Sequence, residues 1–225
     1  MRKPVVDYTK LRLNNITSPQ YKHLLLLLGW VWYLAMYFIT ERLIPEDRCH
    51  VIHSVVDDII PFNEYFAIFY VSWYLFLVGS LLYFLLYDIK SFVHAQKLIV
   101  GMQIVAMATY VLWPSVQYLR PDHFESSNVF TFIMGLIYKA DTPTGVCPSL
   151  HVGYTLAALS AWICRKETAL LKKVLIGVWS FLICISVCFV KQHSFTDVWA
   201  AVVMYIFLMI IFYVEGKRRG KKKMG

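Results

Sequence analysis

Three short groups of residues carry the types and spacings that chemistry needs. They are Arg120-Pro121-Asp122-His123, Cys147-Pro148-Ser149-Leu150-His151 and Lys191-Gln192-His193-Ser194-Phe195-Thr196-Asp197. His193 and Asp197 are four apart, so they share a face where that turn is helical. A carboxylate there accepts a hydrogen bond from one imidazole nitrogen. That fixes the tautomer and leaves the other nitrogen as a nucleophile or base. In the second group Pro148 suits the first position of a helix, where its missing N–H costs nothing. The helix start at Ser149 then offers a hydroxyl and free N–H groups at the positive end of a dipole, which is an anion site. His151 stands in that first turn, and Arg120 and Lys191 add fixed positive charge. Two histidines, one carboxylate, two cations and a helix N-terminus suit a phosphoryl group better than a carbonyl. The charge to be stabilised is then spread over several oxygens.

The elements that must position these groups follow from composition. Of 225 residues, 59% are apolar, 16% aromatic and only 16% charged, against roughly 25% charged in soluble domains. Mean hydropathy is +0.56. This excludes a disordered chain, a coiled coil and a disulfide-stapled miniprotein, and argues against a soluble enzyme. A spanning helix needs about 20 mostly apolar residues. Six segments meet or approach that length: about His23 to Thr40, Tyr65 to Tyr87, about Leu98 to Leu119 with a kink at Pro114, about Ser149 to Cys164, Val174 to Val190, and about Ser194 to Val214. The expected fold is all-α, a six-transmembrane-helix bundle.

An even number of spans puts both termini on one side. That side holds residues 1–22, the links Asp88 to Lys97 and Arg165 to Lys173, and the tail from Glu215. It collects all but five of the 22 lysines and arginines, the exceptions being Arg42, Arg48, Arg120, Lys139 and Lys191. Positive charge marks the cytoplasmic side, so both termini are cytoplasmic and the three groups meet at the extracytoplasmic face of a cell membrane. The chain divides into an N-terminal arm (1–22), a membrane catalytic domain (23–214) and a basic cytoplasmic tail (215–225). The first 22 residues have no signal-peptide h-region, so the first span is read as a retained anchor. The tail, Lys217 to Lys223, reads as a flank for anionic lipid and not as a nucleic-acid patch. The outer stretch Glu41 to Glu64 reads as an interfacial segment.

Pro148-Ser149-Leu150-His151, followed about forty residues later by His193 and Asp197, resembles the type 2 phosphatidic acid phosphatase superfamily. Its members are six-helix membrane enzymes with three motifs: Lys, six residues, Arg-Pro; Pro-Ser-Gly-His; and Ser-Arg, five residues, His, three residues, Asp. Here Arg120-Pro121 fits the first, but Trp113 stands at its Lys. Leu150 replaces the Gly of the second. Ser186 fits the start of the third, but Val187 stands at its Arg. The Ser-Leu-His variant resembles the phosphotransferase branch with inositol phosphorylceramide and sphingomyelin synthases.

The resemblance implies that His193 attacks phosphorus to form a phosphohistidine. Asp197 orients His193, and His151 protonates the leaving group and then activates the acceptor. Arg120, Ser149 and Lys191 hold phosphate oxygens, with Lys139 a further candidate for a missing family cation. It implies a lipid phosphate or diphosphate substrate, no metal and no cofactor. Water as acceptor makes a phosphatase and a lipid alcohol a transferase. Rival readings are a small transporter or a lipid-phosphate-binding protein without turnover. The residues assign no oligomeric state. His23, His50, His53, His94 and His123 read as ordinary interfacial histidines. Cys49 and Cys147 share the outer side and read as unpaired.

Overall fold

A computed structural model of the chain describes residues 3–222, with side chains up to residue 215. The cations of the basic tail, Lys217 to Lys223, lie outside the described side chains. Among the described residues there are eight α-helices: α1 (Leu28–Leu43), α2 (Val55–Ile59), α3 (Ala67–Tyr87), α4 (Ile89–Leu112), α5 (Val129–Ala140), α6 (Leu150–Cys164), α7 (Leu170–Phe189) and α8 (Phe195–Lys222). Two short strands, β1 (His50–Val51) and β2 (Ser115–Val116), pair in parallel.

Five segments are long and apolar enough to cross a membrane: Lys22–Leu43, Glu64–Tyr87, Ile89–Leu112, Leu170–Phe189 and Phe195–Glu215. Their outward faces are studded with exposed apolar side chains such as Leu75, Val78, Phe181 and Ile206, as a lipid-facing surface requires. The sixth expected span is α6. With 15 residues it is only about 22 Å long, short of the roughly 30 Å hydrocarbon core. Eleven of its residues are buried, because α4, α7, α8 and α3 pack around it. It is the axis of the bundle and presents little of itself to lipid. Gly153 allows that packing: a Cβ there would meet Met102 Sδ at 2.9 Å.

Three sequence expectations are corrected. The link Asp88 to Lys97 is helix and not loop, since α4 follows α3 after the single residue Asp88. Asp88 caps α4 by accepting from Ser91 N (3.2 Å) and is held by Arg165 Nε at 3.0 Å. Pro114 is not a kink. It stands beyond the last residue of α4, where a missing N–H stops a helix. The stretch between Arg120 and His151, which reads from the sequence as a long loop, contains α5, capped by Asn128 through Phe130 N and Thr131 N (2.8 and 3.1 Å).

The loops gather at the two ends of the bundle. At one end the α1–α3, α4–α6 and α7–α8 connections interlock. β1 pairs with β2, Asn63 N donates to Phe189 O (2.9 Å) and Gln117 Nε2 donates to Lys191 O (3.1 Å). At the other end the N-terminal segment crosses α3, with Val5 N donating to Leu86 O (2.8 Å) and Tyr8 Oη to Leu85 O (2.9 Å). All three motif groups lie at the first end.

Candidate active site

The turn between α7 and α8 is built by its backbone. Gln192 N donates to Val187 O (2.9 Å) and Lys191 N to Cys188 O (3.1 Å), the paired bonds of a Schellman ending. Lys191 takes the left-handed position with φ 51°, usually occupied by glycine. The chain reverses there, and Ser194 caps α8. Its Oγ accepts from Thr196 N (3.1 Å), while its N donates to Asp197 Oδ2 (2.9 Å). This reciprocal capping box locks the carboxylate that the sequence pairs with His193. His193 Nδ1 lies 3.3 Å from the same Oδ2, and Asp197 is wholly buried. With Nδ1 turned to the carboxylate, Nε2 is the ring nitrogen left for chemistry. The Cys147 thiol lies near Asp197. Burial and the neighbouring Asp197 carboxylate push the thiol up to about 12, so it is inert at neutral pH.

The start of α6 lies alongside. Ser149 N donates to Asp197 O (3.1 Å), tying the second motif to the third. Ser149 Oγ accepts from Val152 N (3.4 Å), and Ser149 O accepts from Gly153 N (3.0 Å). The amides of Leu150 and His151 precede these and have no intrahelical acceptor. Ser149 is the cap, so Pro148 sits before it and not at the first helical position as expected. The His151 ring stacks on Tyr70 (centroids 4.5 Å, 14°) and on Trp73 (4.3 Å, 21°), one turn apart on α3. Its Nε2 is buried without a protein partner. The two histidines are close enough for the charge of one to act on the other.

His151 and His193 both line a cavity of about 670 Å³, within the range of small-ligand pockets. From the histidines it runs between α1 and α3, past Leu77 and Leu81, to Leu85 and Phe92 near the opposite end. Trp73 to Leu85 is twelve residues of α3, about 18 Å.

Of the expected site residues only His151 and His193 line this cavity; Asp197 lies behind His193, and the three expected phosphate-binding residues are drawn elsewhere. Arg120 Nη1 donates to Tyr138 O (3.2 Å) and Asp141 O (2.8 Å). Its Nη2 donates to Thr142 O (3.2 Å) and Gln192 Oε1 (2.6 Å), and its guanidinium lies 4.8 Å from the centre of the Tyr138 ring. It ties residues 138–142 to the α7–α8 turn. Lys191 Nζ points away, donating to Asp57 O (2.8 Å) and Ile60 O (2.5 Å). Ser149 is fully buried as a cap. In each case backbone acceptors or donors that must be satisfied in the interior claim the side chain.

Other residues of the site carry no motif. Asp57, buried on α2, accepts from Ser54 N (2.8 Å), Ser194 Oγ (2.5 Å) and Phe195 N (2.7 Å). It therefore braces the first turn of α8 from the stretch Glu41 to Glu64, which folds inward here. Its Ser54-x-x-Asp57 spacing signals a helix cap; nothing local signals its reach. Gln192, beside His193, donates to Tyr70 Oη (3.4 Å). Asp141 borders the cavity and accepts from Tyr37 Oη (3.0 Å). Burial pushes its carboxyl up, partly offset by Tyr37 and by the charge of Arg120. Of the other histidines, His23 bonds Tyr8, His94 bonds Ser160 and His50 stacks on Trp113. All five cysteines are free. No protein-family model, curated protein or solved structure matches the chain.

Proposed function

We propose that the chain is a membrane-integral enzyme that cleaves a phosphoester bond of a lipid by way of a phosphohistidine on His193. One observation carries this reading. His193, backed by buried Asp197, and His151, with an unpartnered Nε2, line the same cavity, and that cavity continues as an apolar groove between helices. The groove suits an acyl chain and the histidine end suits a phosphate. His193 Nε2 attacks phosphorus, the bond to the leaving oxygen breaks, and His151 supplies that oxygen with a proton. His151 then takes a proton from the acceptor hydroxyl as it attacks the phosphohistidine, which frees His193. The free amides at the start of α6 face developing charge on the phosphate oxygens. The distribution of lysine and arginine supports a site on the extracytoplasmic side of a cell membrane, with six spans and both termini in the cytoplasm.

Water as acceptor makes this a lipid phosphate phosphatase, acting on a phosphomonoester or diphosphate lipid. A lipid hydroxyl makes it a phosphotransferase of the type 2 phosphatidic acid phosphatase kind. A specific observation favours the transferase: among the described residues no lysine or arginine lines the cavity. A phosphomonoester or diphosphate needs strong positive charge nearby, whereas a phosphodiester carries a single negative charge. The test is product formation by purified protein from a panel of labelled lipid phosphates, diphosphates and phosphodiesters, with and without an acceptor lipid and with chelator present. The expected result is release of a head-group product or its transfer, lost in His193→Ala. Equal turnover by His193→Ala contradicts the phosphohistidine.

A further inference from the structure

Gln192 precedes His193 in the α7–α8 turn and is fixed there by its backbone. Its N donates to Val187 O (2.9 Å), and Gln117 Nε2 donates to the preceding carbonyl, Lys191 O (3.1 Å). Its side chain is buried and lines the cavity with both histidines. Arg120 Nη2 donates to Gln192 Oε1 at 2.6 Å. A guanidinium can only donate, so this contact decides which end of the amide is oxygen. The NH2 group therefore turns the other way.

On that side it meets only distant acceptors. Tyr70 Oη lies at 3.4 Å and Asp141 Oδ2 at 3.5 Å, both beyond the usual range of about 2.7–3.2 Å. Tyr70 is the residue whose ring stacks on His151 at 4.5 Å. The amide thus belongs to the neighbour of one histidine and reaches the ring that covers the other. Two polarised N–H bonds stand at the reacting end of the cavity without a short acceptor. A phosphate oxygen at ordinary hydrogen-bond distance is a better one. The Arg120 charge, drawn away from the cavity, polarises the amide from its oxygen end and strengthens it as a donor.

We propose that Gln192 is a further catalytic residue whose Nε2 donates to a phosphate oxygen of the lipid, and that Arg120 is a positioning residue acting through it. Among the described residues no lysine or arginine lines the cavity, so the positive charge of Arg120 reaches the phosphate by way of a neutral amide. This rests on the phosphohistidine reading for its reaction, but binding of phosphate needs no covalent step.

The experiment separates the two. The full chain carrying His193→Ala is purified in detergent, and its affinity for inorganic phosphate is measured by calorimetry. In this background Gln192→Leu is expected to weaken phosphate binding about tenfold, as loss of one hydrogen bond to a charged group does. Gln192→Glu keeps an oxygen for Arg120 but has no hydrogen to donate, and is expected to weaken binding at least as much. A Gln192 that only ties Arg120 to the turn would tolerate glutamate. Arg120→Leu weakens binding on its own but adds less than about twofold to Gln192→Leu, because effects transmitted through one residue are not additive. With His193 present, Gln192→Leu lowers kcat/KM for lipid turnover by about 10–100-fold. No phosphate binding by the parent, or equal binding by folded Gln192→Leu or Gln192→Glu, overturns the proposal. Should Arg120→Leu not fold, the two Gln192 variants decide. Phosphate binding that depends on Gln192 in a chain that never forms product sinks the phosphohistidine reading alone. Turnover that needs His193 and is unchanged by Gln192→Leu sinks the role of Gln192 alone.

Discussion

The contact of His193 with Asp197 and the place of His151 in a first helical turn were readable from spacing because each motif is short and its geometry local. Four residues bring His193 to Asp197 through one helical turn, and a helix start puts His151 beside a free-amide end. Arg120, Ser149 and Lys191 are drawn away from the cavity for a common reason. Their charge or hydroxyl is visible in the sequence, but the backbone groups that claim them come from segments up to 134 residues away. Asp57 is the converse case. It reaches Ser194 from 137 residues away, and nothing near it signals that role. It is a positioning residue: it holds Ser194 and Phe195, and these set where His193 and Asp197 stand. Asp57→Ala is expected to lower kcat by about 10–100-fold while KM moves less than about threefold, since small displacements of reacting groups act on the chemical step. A rise in KM with unchanged kcat would mean that Asp57 serves substrate binding instead.

At the scale of elements, the long apolar runs placed α3, α7 and the start of α8 within a few residues, while α4 begins nine residues earlier and ends seven earlier than the expected span from about Leu98 to Leu119. The first third of α4 was missed because Lys90 and Lys97 suggested a loop, while its buried face, with Phe92, Ala95 and Gln96, packs into the bundle. α5 was hidden for a different reason: its 12 residues are too short to span a membrane, so they read as part of a long loop. α1 is one wall of the cavity: it supplies Trp30, Tyr33, Leu34 and Tyr37 and docks mainly on α4. Gly29 sets how closely it docks. A Cβ there would meet Val100 Cγ2 at 2.6 Å and Gln103 Oε1 at 3.0 Å, and the β-branched valine has little room to turn away. Gly29→Leu is expected to destabilise the protein by about 1–3 kcal/mol, seen as a lower melting temperature in detergent. It should also weaken lipid binding more than it alters the step at His193. An unchanged melting temperature would show that α1 shifts freely on α4.

For the whole molecule, the interlocked loops put every motif residue at one end of the bundle, and the alternation of spans in the sequence predicts that end. The charge pattern predicts that this end is extracytoplasmic. Cys49 and Cys164 report this assignment, since they lie at opposite ends and neither is buried. In cells, a membrane-impermeant maleimide is expected to label a variant retaining only Cys49 and to leave one retaining only Cys164 unlabelled until the membrane is permeabilised. The reverse pattern would place the site in the cytoplasm. Cys147, with its thiol pushed up to about 12, should react slowly in either case.

The central claim is a covalent bond between lipid phosphorus and His193. The most direct measurement is to mix purified protein with lipid labelled at phosphorus, quench within the first turnover, and locate the label by peptide mapping. The account predicts an acid-labile, alkali-stable phosphoryl adduct on the peptide containing His193. It should be absent from His193→Ala and should persist longer in His151→Ala, which lacks the base that activates the acceptor. Product formed at full rate with no adduct, or an adduct mapped to another residue, would contradict it.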